Sequence, residues 1–175
     1  LLISLVVVGL GINNYVITQF NRKNKLAINE KLNSILTELR VRFEEQEEDV
    51  LDENYISYLL RSFSNVFFTD INLYSPNGTL IASSRESVYN EGLLSRQMDP
   101  EAFYEMTLRM QPRYIHQEKI GDFSYLSAYA AFRNGNNEII GYLNLPYFLR
   151  QKELGEELAS SLLALINIYS LLIAV

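Results

Sequence analysis

The uncharged runs at its two ends constrain this chain more than anything between them. Residues 1 to 12 read LLISLVVVGLGI and residues 158 to 175 read LASSLLALINIYSLLIAV, while every Lys, Arg, Asp and Glu and the single His lie between Arg22 and Glu157. An uncharged run of about 18 residues or more is a candidate bilayer span, because the hydrocarbon core takes roughly 20 residues of helix. The C-terminal run reaches that length and the N-terminal run falls short of it. The chain opens on Leu1 and closes on Val175 inside these runs. Each is therefore expected to be a truncated transmembrane helix, with a polar domain strung between two spans in the manner of a receptor. The first run has the length of a signal-peptide apolar segment, but no small-x-small cleavage site precedes Asn13 and the helical pattern continues past it. That favours an anchor. Arg22, Lys23 and Lys25 follow the first run; the positive-inside rule compares both flanks of a span, so one flank leaves orientation open.

The stretch between the runs, roughly 140 residues, is long enough for one domain with its own core. It carries the whole net charge of -6, which argues against a nucleic-acid partner held by phosphate neutralisation. The chain has no Cys, which removes disulfides, zinc-thiolate sites and thiol nucleophiles together and fits a bacterial exported domain.

Residues 13 to 51 read as helix, without Pro. Apolar residues recur at Ile28, Leu32, Leu36, Leu39, Phe43 and Val50, with Gln46 in one slot, and Glu30, Lys31, Glu38 and Arg40 lie opposite. Spacings of three and four place a single stripe along one face. A continuous helix of this length spans roughly 50 to 60 Å at 1.5 Å per residue, a stalk leading away from a bilayer. Residues 52 to 65 suggest a shorter second helix. The period then changes. Residues 70 to 74 (DINLY) alternate as a strand, with Ile71 and Leu73 on one face and Asn72 and Tyr74 on the other. Ser75-Pro76-Asn77-Gly78 is a tight turn, and residues 79 to 83 are the return strand. Asn77-Gly78-Thr79 matches a glycosylation acceptor, but the turn accounts for it.

Residues 84 to 97 read as irregular. Asp99-Pro100-Glu101 starts a helix, with Asp as N-cap and Pro in the first position, running to about Met110 and closed by Pro112. Strands follow at 113 to 120, 123 to 132 and 138 to 148, joined by turns at Gly121-Asp122 and at Asn134-Gly135-Asn136-Asn137. A helix from Leu149 then leads into the last apolar run. Five antiparallel strands with helices on one face give an α+β domain.

DINLYSPNGTLIASS, followed by a helical crossover and three more strands, resembles the PAS-like sensor domains called single Cache or PDC domains. The segments GLLSRQMDPEAFYEM, FSYLSAYAAFRN and GYLNLPYF, with LALINIY in the last run, are similar to the extracytoplasmic part of Bacteroidetes-type sensor histidine kinases. The likeness extends over essentially the whole chain. It implies the end of a first transmembrane helix at 1–20, a helical stalk and second helix at 21–65, a PAS-like core at 66–148, and an exit helix and second span at 149–175. It also implies a multi-pass protein of the bacterial cytoplasmic membrane with this domain in the periplasm, a homodimer, a cytoplasmic kinase using ATP and Mg, and a response regulator as partner. No catalysis and no cofactor are assigned to the segment itself. A chemoreceptor ligand-binding domain shares the layout, as does a module that only dimerises or meets a protein.

Candidate residues come from the strands and the crossover. Arg96, Arg113, Tyr114, Tyr125, Tyr129, Tyr142 and Asn144 could supply polar tips to an aromatic-lined cavity, with core packing the favoured role for each of them taken singly. Amino-acid-binding Cache domains present a Tyr, Arg and Asp set. Here Asn144 stands on the final strand where an Asp is expected, which speaks against amino-acid recognition. His116 shares the face of Tyr114 and reads as a structural or surface histidine, with a pH-sensing role left open. With one His, no G-x-S-x-G and no H-E-x-x-H, the segment has no enzyme motif. Glu44, Glu45, Glu47, Glu48, Asp49, Asp52 and Glu53 form the densest charge cluster, read as a solvated helix face over a cation site, so no metal ligand is assigned. The stripe of Ile28, Leu32, Leu36, Leu39 and Phe43 packs on its own sheet or forms a two-fold dimer seam; the spacing is compatible with both.

Overall fold

The computed structural model describes residues 2–44, 53–147, 159–161, 163–164 and 166. The chain divides into two units, Ala27–Phe148 and Leu1–Leu26 with Leu149–Val175. Among the described residues no helix is long and apolar enough to cross a membrane. The run 158–175 lies for the most part outside them, as do the acidic residues 45–52 and the expected exit helix at 149–157.

The first helix, α1 (Leu2–Glu44), is followed by α2 (Glu53–Phe67), β1 (Asn72–Tyr74), β2 (Leu80–Ser83), α3 (Glu86–Asn90), α4 (Pro100–Thr107), β3 (Arg113–Ile120), β4 (Phe123–Arg133) and β5 (Ile139–Tyr147). The strands form one sheet in the order β2-β1-β5-β4-β3, and every neighbouring pair is antiparallel. The last strand thus lies at the centre. This is the α+β architecture with a long first helix and five antiparallel strands.

The helices do not share one face, contrary to the expectation from the sequence pattern. Alternation along the central strands sends Leu126, Ala128, Ala130 and Phe132 of β4, with Leu143 and Leu145 of β5, to one side. There α1 contributes Ile28, Leu32, Ile35 and Leu39, each at most 1 % exposed, and α2 contributes Ile56, Leu60 and Phe63. Leu36 and Phe43 are partly buried against the same core, and the Phe43 ring meets Phe132 edge-on at 5.0 Å. The helical stripe is therefore covered by its own sheet. Ile35, absent from the stripe drawn on the sequence, takes a fully buried place. Burying each such side chain stabilises the fold by about 1.5–3 kcal/mol.

On the opposite side of the sheet, α3, α4 and the segment between them cover Tyr74, Leu80, Tyr129 and Tyr142 with Tyr89, Met98, Ala102 and Met106. The short helix α3 falls in the stretch read as irregular. Asp99 caps α4 as anticipated: its Oδ1 accepts from the amides of Glu101 and Ala102 at 2.9 and 3.0 Å. The helix closes at Thr107, before Met110, which adopts the left-handed conformation (φ 51°) that a helix does not continue. In the β1–β2 turn, Gly78 has φ +84°, and a Cβ there would stand 2.9 Å from the Phe103 ring. Turn geometry and the seating of α4 both require glycine at this position.

Candidate ligand-binding site

The polar residues of the second face fall at positions that alternation sends away from the α1–α2 core. Asn72 of β1 pairs in register with Ser83 of β2 and with Asn144 of β5. Ser83 Oγ donates to Asn72 Oδ1 at 2.7 Å, Asn72 Nδ2 to Asn144 Oδ1 at 2.8 Å, and Asn144 Nδ2 to Ser127 Oγ at 2.7 Å. All four residues are buried. One chain of side chains thus crosses four neighbouring strands, β2, β1, β5 and β4. A buried amide needs partners for both its ends, and this ladder supplies them while fixing which way each amide points.

Glu118 of β3 stands beside the ladder and gathers a second set of polar contacts. Its Oε2 accepts from the Tyr125 hydroxyl at 2.6 Å, and its Oε1 accepts from the Tyr129 hydroxyl at 2.5 Å and lies 3.1 Å from His116 Nε2. Burial alone would raise its pKa, but the hydrogen bonds with His116, Tyr125 and Tyr129 prevail and hold it below the ordinary value. Tyr125 and Tyr129 are pushed up by burial and by the adjacent carboxylate, so both stay protonated donors.

His116 is enclosed by carboxylates from two elements. Its Nε2 lies 3.7 Å from Asp99 Oδ1, and its Nδ1 lies 3.5 Å from Glu101 Oε2, both at the start of α4. Burial disfavours the imidazolium, yet Glu118, Asp99 and Glu101 together raise the His116 pKa above its ordinary value. Tyr114, one alternation earlier on β3, donates to Glu101 at 2.6 Å, which lowers the Glu101 pKa and pushes Tyr114 up to about 12.

Between this polar face and the crossover lies a cavity of about 540 Å³. The sheet side offers Asn72, Tyr74, Glu118, Tyr125, Tyr129 and Asn144; the crossover offers Tyr89, Leu94, Gln97, Met98 and Asp99. The size is that of a small-ligand site, and the wall is mixed, with tyrosine rings and a few aliphatic side chains set among amide and carboxylate groups.

Of the residues singled out from the sequence, Tyr125, Tyr129 and Asn144 line this cavity. His116 and Tyr114 stand beside it against α4. Tyr142 is buried in the neighbouring cluster with Tyr74 and Leu80. Arg96 is on the crossover, donating to Asn90 Oδ1 at 2.7 Å, and is not part of the wall. Arg113 points to the other face of the sheet and donates to Asn29 Oδ1 of α1 at 3.1 Å. Lys119 is the one cation in the wall among the described residues. Glu118, Asn72, Ser83 and Ser127 belong to the site without having been singled out from the sequence. Period two carried the signal for the first: Glu118 follows His116 by two residues on one strand and must share its face.

No protein-family model and no curated protein matches the chain. Solved structures do. The E. coli DcuS sensor domain superposes with TM-score 0.50 at 9% identity, over 76% of this chain and 95% of that one. The sensor domain of the V. cholerae histidine kinase DctB gives 0.51 at 14%, over 91% and 58%. The sensory domain of the Campylobacter jejuni chemoreceptor Tlp3 gives 0.53 at 14%, over 85% and 60%. The fold is PDC/Cache-like. The chain spans nearly all of the DcuS domain but only about three fifths of the other two (58% and 60%), and at these identities the likeness is one of fold.

Proposed function

We propose that this chain is the extracytoplasmic sensor region of a two-component sensor histidine kinase of the Bacteroidetes type. It stands in the periplasm between two transmembrane helices and passes a stimulus to a cytoplasmic kinase that uses ATP and Mg. The observation that carries the reading is the 540 Å³ cavity between sheet and crossover, walled by tyrosines and a fixed amide ladder, in a fold shared with the DcuS and DctB sensor domains. The segment is non-catalytic; a homodimer and a response regulator belong to the parent protein. A stimulus acts by binding one arrangement of the helices better than another, and only to the extent of that difference.

The ligand is a small polar molecule. A Tlp3 ligand-binding domain at TM-score 0.52 was crystallised with L-norvaline, which supports a chemoreceptor as the second reading. The cavity argues against an amino acid as ligand here. Among the described residues no Arg lines it to fork onto a carboxylate, and Asn144 has both ends of its amide engaged by Asn72 and Ser127.

The deciding experiment is to sequence the parent gene beyond Val175 and to assay its product in membranes. A helix with a phosphoacceptor His and an ATP-binding domain, with autophosphorylation that a cavity ligand changes, is the expected result. A long charged heptad coil makes the protein a chemoreceptor, and a stop soon after the apolar run removes a fused output domain.

A further inference from the structure

Asp99, His116 and Glu118 each present a donor atom, and the three atoms lie within 4.8 Å of one another. His116 Nε2 is 3.1 Å from Glu118 Oε1 and 3.7 Å from Asp99 Oδ1. Ligands of a tetrahedral zinc ion, with Zn–N and Zn–O of about 2.0–2.2 Å, stand roughly 3.3 Å apart. The two separations from His116 are therefore close to that spacing, and the Asp99 and Glu118 oxygens lie within 4.8 Å of each other.

Two further observations point to a cation. The first is charge. Three carboxylates, those of Asp99, Glu101 and Glu118, face one imidazole, and among the described residues no Lys or Arg forms an ion pair with any of them. Glu101 is exposed, but Asp99 and Glu118 are largely shielded, so protonating the histidine still leaves one shielded negative charge without a counter-ion. The second is the imidazole itself. The His116 side chain is 9 % exposed, and its buried Nδ1 makes no hydrogen bond. A metal on Nε2 keeps the proton on Nδ1, which then faces Glu101 Oε2 at 3.5 Å. A carboxylate behind the ligating histidine is the usual outer-shell arrangement, and the Tyr125 and Tyr129 hydroxyls on Glu118 supply the same support to the carboxylate ligand.

We propose that Asp99, His116 and Glu118 hold a divalent cation of the zinc class, one that accepts mixed nitrogen and oxygen donors. Asp99 and Glu118 both lie on the cavity wall, so the remaining coordination position is reached from the cavity by water or by a donor atom of a bound ligand. The site tethers α4 to β3 through the ion. It rests on the geometry of these residues and holds whether the parent is a kinase, a chemoreceptor or neither.

Equilibrium dialysis of the full chain, stripped with chelator and then exposed to Zn²⁺ alone, tests it. One equivalent is expected at micromolar Zn²⁺, with His116→Ala weakening binding at least tenfold, Tyr129→Phe weakening it roughly tenfold through the outer shell, and Glu138→Gln, on the exposed β4–β5 turn, leaving it unchanged. Should His116→Ala fail to fold, Co²⁺ added to the unaltered chain serves instead, since tetrahedral nitrogen–oxygen coordination gives intense visible bands. Absence of stoichiometric Zn²⁺ binding, binding that His116→Ala leaves intact, or Co²⁺ spectra of the aqueous octahedral ion would overturn the site and leave a cluster that holds only a proton.

Discussion

Glu118 gathers more of the site than any other side chain, accepting from two tyrosines and lying within hydrogen-bond reach of His116 while lining the cavity. In chelator-treated protein the Glu118–His116 pair has a defined pH window. The folded pKa of Glu118 lies below its ordinary value, so its stabilisation is present above about pH 4.5 and is lost as pH falls through the folded pKa. The folded pKa of His116 lies above its ordinary value, so its stabilisation is complete below about pH 6.5 and is lost as pH rises through the folded pKa. The pair therefore contributes most in mildly acidic solution. Melting curves of the chain and of His116→Asn, run from about pH 4 to 9, should differ most near pH 5–6 and converge on the alkaline side; a constant difference would remove the ion pair from the explanation. Asn144 offers a second test at this scale. Asn144→Leu leaves the Asn72 carboxamide with an unpaired donor and Ser127 without its amide partner, and should cost about 1–3 kcal/mol for each stranded group in urea unfolding. The sequence marked Asn144, Tyr125 and Tyr129 as sharing a surface. It could not show that Asn144 joins Asn72, because β1 meets β5 only after the chain has passed through β2, α3, α4, β3 and β4.

Elements were legible where one signal governed them. The Asp99-Pro100 start of α4, the turn at Gly78 and the alternation of β3, β4 and β5 are local, and the chain folds accordingly. The two-faced covering of the sheet was not legible, because a tyrosine-rich strand reads the same whether its outer face meets a helix or water. Only the burial of Tyr74, Tyr129 and Tyr142 under α3 and α4 distinguishes the two. The α1 stripe shows a related limit. Ile35 and Leu36 are adjacent and both aliphatic, so a stripe of period 3.6 can be drawn through either. The packing selects Ile35 for the core and leaves Leu36 partly buried. Leu32→Ala in the middle of this face should cost about 2–5 kcal/mol, measured by denaturant midpoint, whereas the same change at exposed Leu26 should cost less than a quarter of that. On β5, Gly141 lies where a Cβ would come within 2.6 Å of the Tyr74 carbonyl oxygen. Gly141→Ala must push β1 from β5 and should destabilise by about 1–3 kcal/mol; an unchanged midpoint would show that the pairing of these strands is slack.

At the scale of the whole molecule, the order of the sheet bears on how a signal could leave it. The cavity is walled by β1, β3, β4 and β5 together with the crossover, and β5 is the central strand and the last. Nothing but residues 148–157 separates it from the uncharged run at 158–175. A ligand that shifts the crossover against the sheet thus acts on a strand whose covalent continuation is the proposed second span. Residues inserted between Leu149 and Glu157 interrupt that continuation beyond the end of the unit Ala27–Phe148. If the segment is helical, one added residue turns everything beyond it by about 100°, while four turn it by only about 40°. The one-residue insertion should therefore change the signalling output of the parent protein strongly, and the four-residue insertion should restore much of it. Both should melt within a degree or so of the parent, since Ala27–Phe148 holds its own core. Output indifferent to both insertions would mean that the stimulus leaves the domain by another route, with α1 the remaining covalent connection between the sheet and the first apolar run.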